Sequence, residues 1–499
     1  MSGPVTASLF VRGRDQALAL AEAAVAAGAD RIELRLDRAP DLDFAALVRA
    51  MPRPVVAACP LEEENGFFVG GGPARLRRLA ACARGGAAFL DLPHPGRPGS
   101  DPLPPSALPA GEWRAIRSWH EPPDRRTDLA RVLDAIEAAL RPGDWVKIVA
   151  WAEDEADSWR ILPLHRRARA PLIAFAQGPG GEASRLWAPA LGSPWSYAAA
   201  GDEPTAPGQW RCADLASALA GALAPGGPPT PCYAVVGRPV RHSLSPLLWR
   251  TALRAAGLPG VYGRVEPAAD GFASFLAAHA DPAFRGFSVT APFKREALAA
   301  ADEADPAAVR IGAANTLQRL PDGRWKAWNT DGPACLDALV AAGAPARGPI
   351  LIVGAGGAAA AVAEAAVRRG ARVTIAARRP DQARALASRL GAAAADLAEV
   401  SAADFPVVVQ ATPVGSSMNP GNPLAGNPPA SGCRLLDMVY EPATTPLMAE
   451  AARRGAVVVG GVEMLLRQML AQFRILTGVE ADPRPLRAAL AAARPEEGE

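Results

Sequence analysis

Ile350-Leu-Ile-Val-Gly-Ala-Gly-Gly-Ala-Ala359 carries an apolar, strand-forming run straight into a glycine-rich turn. Gly354, Gly356 and Ala359 have the spacing of a dinucleotide fingerprint, and an alanine-rich helical segment follows. Small residues there let the backbone approach a pyrophosphate at a helix N-terminus. The expected contact set is Gly354, Ala355, Gly356, Gly357, Ala358 and Ala359. A tight strand-to-helix turn in an alanine- and glycine-rich chain is the competing reading. The next strand-like run, Arg372-Val-Thr-Ile-Ala-Ala377, ends in Arg378 and Arg379. An acidic residue at that point would accept hydrogen bonds from a free ribose hydroxyl. Two arginines suit a 2′-phosphate, which points to NADP, although a basic helix start also fits.

Further out, the helical segment Ala213–Leu223 precedes Ala224-Pro-Gly-Gly-Pro-Pro-Thr-Pro231, a run with little to bury and the best linker candidate. A second α/β pattern begins at Tyr233. The expected division is therefore 1–223, a linker at 224–231, then 232–333, 334–460 and a C-terminal helical stretch 461–499 that returns to the second domain. Before residue 200 lie eight β-like runs: Val5–Val11, Arg31–Asp37, Pro54–Cys59, Ala87–Leu92, Trp113–Trp119, Trp145–Trp151, Pro171–Ala176 and Trp195–Ala199. Most are separated by segments of helical periodicity. Such alternation over about 200–250 residues is the pattern of a (β/α)₈ barrel. The proline-rich stretch Pro93–Pro109 reads as a long surface loop.

At 499 residues the chain exceeds one core. Its net charge is +2, and no lysine-arginine block is interleaved with aromatics, so nucleic acid is not an expected partner. Apolar runs of membrane-spanning length and a basic-then-apolar leader are both missing, and the six cysteines show no paired spacing. The expectations are a cytoplasmic protein with small-molecule substrates and no metal or membrane. Homo-oligomerisation is left open.

Of 53 basic residues only three are lysine: Lys147, Lys294 and Lys326. Arginine cannot form an imine, whereas a buried lysine can. Lys326 reads as an ordinary hairpin residue. Lys147 sits in Trp145-Val-Lys-Ile-Val149, where burial is expected to lower its pKa and free a neutral amine. Barrel enzymes carry their chemistry at the C-terminal ends of strands. Glu33, Arg35, Glu64, His120, Arg185, Thr205 and Gln209 fall at or after those ends. A rim ion pair for Glu33 and Arg35, a structural His120 and a snorkelling Lys147 are the bland alternatives.

Over residues 5–210 the sequence resembles type I 3-dehydroquinate dehydratases. The matching segments are Ile32-Glu-Leu-Arg-Leu-Asp37, Ser118-Trp-His120, Val146-Lys-Ile148, Gly178-Pro-Gly-Gly-Glu-Ala-Ser-Arg185 and Thr205-Ala-Pro-Gly-Gln209. The resemblance implies a Schiff base on Lys147, His120 as proton carrier and Glu64 orienting His120. It also implies that Arg185 grips the substrate carboxylate and that Glu33, Arg35, Thr205 and Gln209 hold ring hydroxyls. The chain departs from that pattern at Pro60, where an arginine is usual, at Asn65-Gly66, where glycines pair, and at Pro93, where an acid is usual.

Residues 232–480 resemble shikimate dehydrogenases. The motifs are Arg241-His-Ser-Leu-Ser-Pro246, Phe287-Ser-Val-Thr-Ala-Pro-Phe-Lys294, Gly312-Ala-Ala-Asn-Thr316, Asn329-Thr-Asp-Gly332, Asp437-Met-Val-Tyr-Glu-Pro442 and Gly461-Val-Glu-Met-Leu-Leu-Arg-Gln468. The resemblance implies an acid–base pair of Lys294 and Asp331. Ser243 and Ser245 would hold the substrate carboxylate, Thr290, Asn315 and Gln468 would contact ring hydroxyls, and Tyr440 would line the same pocket. Thr412 and Gly461 join the expected cofactor contacts. Departures are Trp249-Arg250 and Gln410.

The expected architecture is thus α/β throughout: a (β/α)₈ barrel, a shikimate-dehydrogenase-like substrate domain and a Rossmann NADP-binding domain. The expected activity is dehydration of 3-dehydroquinate followed by NADPH-dependent reduction of 3-dehydroshikimate to shikimate. An NAD-dependent catabolic quinate/shikimate dehydrogenase and a non-catalytic metabolite sensor are the alternatives. Coenzyme kinetics separate the first, and adduct trapping separates the second.

Overall fold

The computed structural model describes residues 3–64, 66–94, 108–224, 227 and 229–493. Most of the expected Pro93–Pro109 loop lies outside the described residues, as do Asn65 and, in the expected linker, Pro225, Gly226 and Pro228.

All eight strands anticipated before residue 200 form: β1 (Val5–Phe10), β2 (Arg31–Arg35), β3 (Val55–Ala58), β4 (Phe89–Pro93), β5 (Arg114–His120), β6 (Trp145–Trp151), β7 (Leu172–Gln177) and β8 (Ser196–Ala199). A two-residue strand, β9 (Trp210–Arg211), is added to β8, and the order is β7-β6-β5-β4-β3-β2-β1-β8-β9. Curling is visible in the packing. Val56, Phe89, Ile116, Val149, Phe175 and Tyr197 come from six strands yet share one buried cluster with Trp195, the residue before β8. Phe89, Trp145 and Trp195 meet ring to ring with centroids 4.9–5.0 Å apart.

Helices cover the outside by their apolar stripes. Leu129–Ala138 is capped by Asp128, which accepts from the N–H groups of Ala130 and Arg131. Its Leu129, Leu133 and Ile136 lie at i, i+4 and i+7 and pack with Val146, Ile148 and Ala150. Burial of each such side chain stabilises the fold by roughly 1.5–3 kcal/mol.

Six further strands, β10 (Cys232–Val236), β11 (Val261–Val265), β12 (Phe284–Val289), β13 (Glu303–Ala304), β14 (Thr316–Arg319) and β15 (Trp325–Trp328), form a mixed sheet ordered β11-β10-β12-β14-β15-β13. Strands β14 and β15 are an antiparallel hairpin, and Lys326 lies in it. A third sheet holds β16 (Pro349–Val353), β17 (Arg372–Ala377), β18 (Ala393–Asp396), β19 (Val407–Gln410), β20 (Arg434–Asp437) and β21 (Val457–Val459). Its order, β18-β17-β16-β19-β20-β21, is that of a Rossmann fold, and the pairs are parallel. Parallel sheets are covered on both faces. Accordingly Ile350 and Ile352 of β16 enter one core while Leu351 and Val353 enter another.

The chain forms two compact units: one runs to Tyr233 and includes Leu258–Phe284, the other comprises Ala234–Gly257 and the chain from Arg285 onward. No described helix is long and apolar enough to cross a membrane.

Candidate active sites

Inside the barrel, strand alternation turns Glu33 of β2, Asp91 of β4, Lys147 of β6 and Tyr197 of β8 toward one another. Side-chain layers of a (β/α)₈ barrel are drawn from alternate strands, and these four come from the even ones. The Lys147 Nζ lies 2.7 Å from Asp91 Oδ2 and 3.4 Å from Glu33 Oε1, and 4.7 Å from the centre of the Tyr197 ring. Burial alone would depress the ammonium pKa, but Asp91, Tyr197 and Glu33 outweigh it and hold the group above the ordinary lysine value. The expectation of a lowered Lys147 pKa is therefore corrected. Burial pushes the Asp91 carboxyl up, but the Lys147 charge, with hydrogen bonds from Lys147 and Ser118, overrides this and holds it below the usual range.

His120 ends β5. Its Nδ1 lies 3.2 Å from the backbone carbonyl oxygen of Glu64, so that nitrogen donates and Nε2 carries the lone pair. Nε2 is buried without a protein partner. Burial, then the Lys147 charge, pushes the imidazole pKa down to about 3, which keeps the ring neutral. The Glu64 carboxylate does not reach His120 as expected. Arg75 takes it in a two-pronged contact of 3.1 and 2.8 Å, and the Leu61 N–H donates to it.

Arg185, on the helix Glu182–Leu191, is 1% exposed and donates to Tyr197 O at 3.3 Å. Its Nε and Nη2 have no protein partner, and burial lowers its pKa to about 9. A buried guanidinium with two unengaged donors has the chemistry to pair with a carboxylate. Arg35, in contrast, is held by Asp37 at 2.9 and 2.8 Å and donates to Thr205 O. The Thr205 hydroxyl donates to Ser8 Oγ, and Ser8 donates to Glu33. Gln209 accepts from the Thr205 N–H at 2.8 Å. Apart from Ser8, Asp37 and Leu61, the residues named above line one cavity with Pro60, Pro93, Ser118 and Gln177. Asp91, Tyr197, Ser8 and Arg75 are additions to the expected set.

In the second unit Lys294 Nζ meets Asp331 Oδ2 at 2.5 Å. Asp331 opens the helix Asp331–Ala341, where unpaired backbone N–H groups suit an anion. Asn315 is fully buried. Its amide donates to Asp331 Oδ1 and Thr330 Oγ1, and its oxygen accepts from Thr330 N–H and the Thr316 hydroxyl. With every donor and acceptor engaged, Asn315 orients Asp331 and offers a ring hydroxyl no free group, contrary to expectation. The Ser245 N–H donates to Ser243 Oγ at 3.2 Å. Thr290 follows β12, and Tyr440 follows β20. Gln468 is half-buried on the helix Gly461–Thr477. One turn along, the unforeseen Gln472 is buried and bonds Ser288, Asn315 O and Thr316.

The fingerprint forms a cradle. Gly354 has φ +120° and donates to Ala376 O, and a Cβ there would come within 3.0 Å of Thr412. At Gly356 and Gly357 a Cβ would meet nothing within 4 Å, so space lies open at the N-terminus of the helix Gly357–Arg368, with Ala355, Ala358 and Ala359 around it. Gly332 lets the helix Asp331–Ala341 press on this one, since a Cβ would lie 2.1 Å from Ala361 O. At Gly461 a Cβ would lie 2.6 Å from Met438 O and 2.7 Å from Val439 O. Arg378 and Arg379 are exposed beyond β17. Gln410 donates to Thr412 O and Val414 O and accepts from Thr412 N–H, so it shapes the turn that follows. The open, donor-rich turn fits a pyrophosphate. Among the described residues no cluster of His, Cys, Asp and Glu is placed to hold a metal.

Residues 5–222 match the family model for type I 3-dehydroquinase, and 235–317 match that for the shikimate dehydrogenase substrate binding domain. Residues 349–416 match a model described as NADP oxidoreductase, coenzyme F420-dependent. The chain is 32% identical over 481 residues to the chloroplastic bifunctional 3-dehydroquinate dehydratase/shikimate dehydrogenase of Arabidopsis thaliana, covering 91% of this chain and 78% of that one. It is 39% identical to the shikimate dehydrogenase (NADP(+)) of Thermus thermophilus over 50% of this chain and 94% of that one. The solved shikimate dehydrogenase of Aquifex aeolicus is similar at 30% identity and a TM-score of 0.50, covering 52% of this chain and 97% of that one. Another, in complex with NADP+, gives 29% and 0.51 over 54% of this chain and 96% of that one. The alignment with the Arabidopsis protein runs across both halves, and the chain belongs to the family of bifunctional 3-dehydroquinate dehydratase/shikimate dehydrogenases.

Proposed function

We propose that the chain carries out two consecutive steps, dehydrating 3-dehydroquinate in the barrel and reducing the resulting 3-dehydroshikimate to shikimate in the second unit with NADPH. The observation that carries the reading is Lys147, a buried amine between two carboxylates beside a neutral histidine. Its ammonium condenses with the substrate ketone: two of its protons leave with the ketone oxygen as water, and the iminium keeps the positive charge beside Asp91 and Glu33. The iminium acidifies the neighbouring C–H, His120 Nε2 takes that proton and returns it to the departing hydroxyl, and a water then hydrolyses the product iminium to 3-dehydroshikimate and the free Lys147 ammonium. Arg185 holds the substrate carboxylate, while Glu33, Arg35, Thr205 and Gln209 hold ring hydroxyls.

In the second unit Ser243 and Ser245 receive the carboxylate, and Thr290, Tyr440 and Gln468 border the ring. Lys294, steered by Asp331, delivers a proton to the ketone oxygen. NADPH, when bound, supplies the hydride. The Gly354–Ala359 cradle, Thr412 and Gly461 would hold it, with Arg378 and Arg379 on its 2′-phosphate. The division 1–223, 232–333, 334–460 and 461–499 serves as the working domain map.

Borohydride reduction in the presence of 3-dehydroquinate tests the first step. A mass increase confined to the Lys147 peptide is expected, and an unmodified Lys147 under turnover conditions overturns the imine.

A further inference from the structure

Three arginines of the first unit surround the dehydratase pocket, and only one of them is committed to the segment that touches His120. Arg75 stands on the helix Gly71–Arg84 in the run Arg75-Leu-Arg-Arg78. It is 2% exposed, Arg78 is half-buried and Arg77 faces solvent. Both terminal nitrogens of Arg75 are engaged by Glu64 Oε1 and Oε2, at 3.1 and 2.8 Å. Arg185 leaves Nε and Nη2 without a protein partner, whereas Arg75 leaves only its Nε.

Glu64 belongs to a short turn that begins after β3. The Glu64 N–H donates to Leu61 O at 3.0 Å, the Gly66 N–H to the same oxygen at 2.8 Å, and the Leu61 N–H to Glu64 Oε2 at 3.1 Å. Pro60, just before it, has no N–H and no polar side chain with which to tie the turn down. Arg75 ties it from outside, and the turn presents its carbonyl to His120 Nδ1 at 3.2 Å.

We propose that Arg75 is a positioning residue for dehydration: by forking the Glu64 carboxylate it keeps the Glu64 carbonyl on His120 and so leaves Nε2 as the base. This rests on the assignment of His120 as the proton carrier. Without that carbonyl an imidazole places its proton on Nε2, where the lone pair is needed. A lysine at 75 retains the charge but cannot make two parallel bonds to one carboxylate.

The test uses the full chain with 15N-labelled histidine. There are five histidines, and His120→Gln identifies the His120 signals. In the parent protein His120 should show the Nδ1–H tautomer. Arg75→Ala should move it toward Nε2–H and lower the dehydration kcat at least tenfold with KM changed less than twofold. Guanidinium ion in the buffer should restore part of that kcat, and Arg75→Lys should fall between parent and Ala. Parent-like tautomer and kcat in Arg75→Ala overturn the proposal. So does a KM effect with kcat unchanged, because Arg75 would then be binding substrate. If Arg75→Ala does not fold, Arg75→Lys and Glu64→Gln carry the same comparison. Full dehydration by His120→Gln refutes the base assignment itself, whereas a dead His120→Gln beside a normal Arg75→Ala refutes Arg75 alone.

Discussion

Asp91→Asn removes the nearest charge from Lys147 while keeping the shape of the side chain. At 2.7 Å and an effective dielectric near 20, the lost attraction is about 6 kcal/mol, or about four pKa units, and water entering the cavity reduces this to about two. Glu33 at 3.4 Å remains, so the amine becomes easier to deprotonate without becoming an isolated buried charge. Reductive methylation with formaldehyde, scored by mass spectrometry of the Lys147 peptide as pH is raised, reads the neutral fraction directly. The midpoint should move to acid by about two units, with the half-exposed Lys326 as an unshifted control in the same sample. Stability should follow with a defined sign. Lys147 has a raised folded pKa, so its contribution is complete below the unfolded value and is lost as pH rises through the folded one. Asp91 has a depressed pKa, so its contribution is present above the unfolded value and is lost as pH falls through the folded one. The parent should therefore exceed Asp91→Asn most in urea unfolding between about pH 4 and pH 10. An unchanged methylation midpoint refutes the electrostatic account of the pocket.

Two further outcomes concern the second unit. Arg378→Ala should raise KM for NADPH about 10–100-fold, the worth of a charge-assisted contact, and leave the constants for NADH alone. Steady-state kinetics with both coenzymes measure this, and equal effects on the two would remove the 2′-phosphate assignment. Gly332→Ala places a Cβ within 2.1 Å of Ala361 O and should destabilise the second unit by about 1–3 kcal/mol, read by thermal unfolding. Shikimate oxidation should fall while dehydration persists, and an unaltered melting profile would contradict the close helix contact.

The eight strands and the glycine-rich turn were legible because apolar alternation and the strand–turn–helix order leave direct marks on the chain. Lys147, His120 and Arg185 were legible for chemical reasons. Asp91 was not, because Phe89-Leu-Asp-Leu-Pro93 reads as one buried strand, and its inward face becomes apparent only once the neighbouring strands are set beside it. Tyr197 is hidden the same way in Ser196–Ala199. Arg75 looks like one of three surface cations until the helix face is known. Glu64 was expected beside His120, but through its carboxylate; that the backbone carbonyl makes the contact could not be read, since a carbonyl carries no sequence signature. Asn315 was found, but its engagement with Asp331 depends on the antiparallel return of β14 and β15.

Because the Lys147 layer is taken from every second strand, its members answer to one another across the lumen and not along the chain. Side chains in a strand alternate with a period of two, so a one-residue insertion early in Phe89–Pro93 would bring a leucine round to face the ammonium and turn Asp91 into the helical shell. The amine would then confront hydrocarbon on one side, and the carboxylate would be stranded among apolar helices on the other. The length of this inner strand is thus fixed by chemistry on the opposite wall.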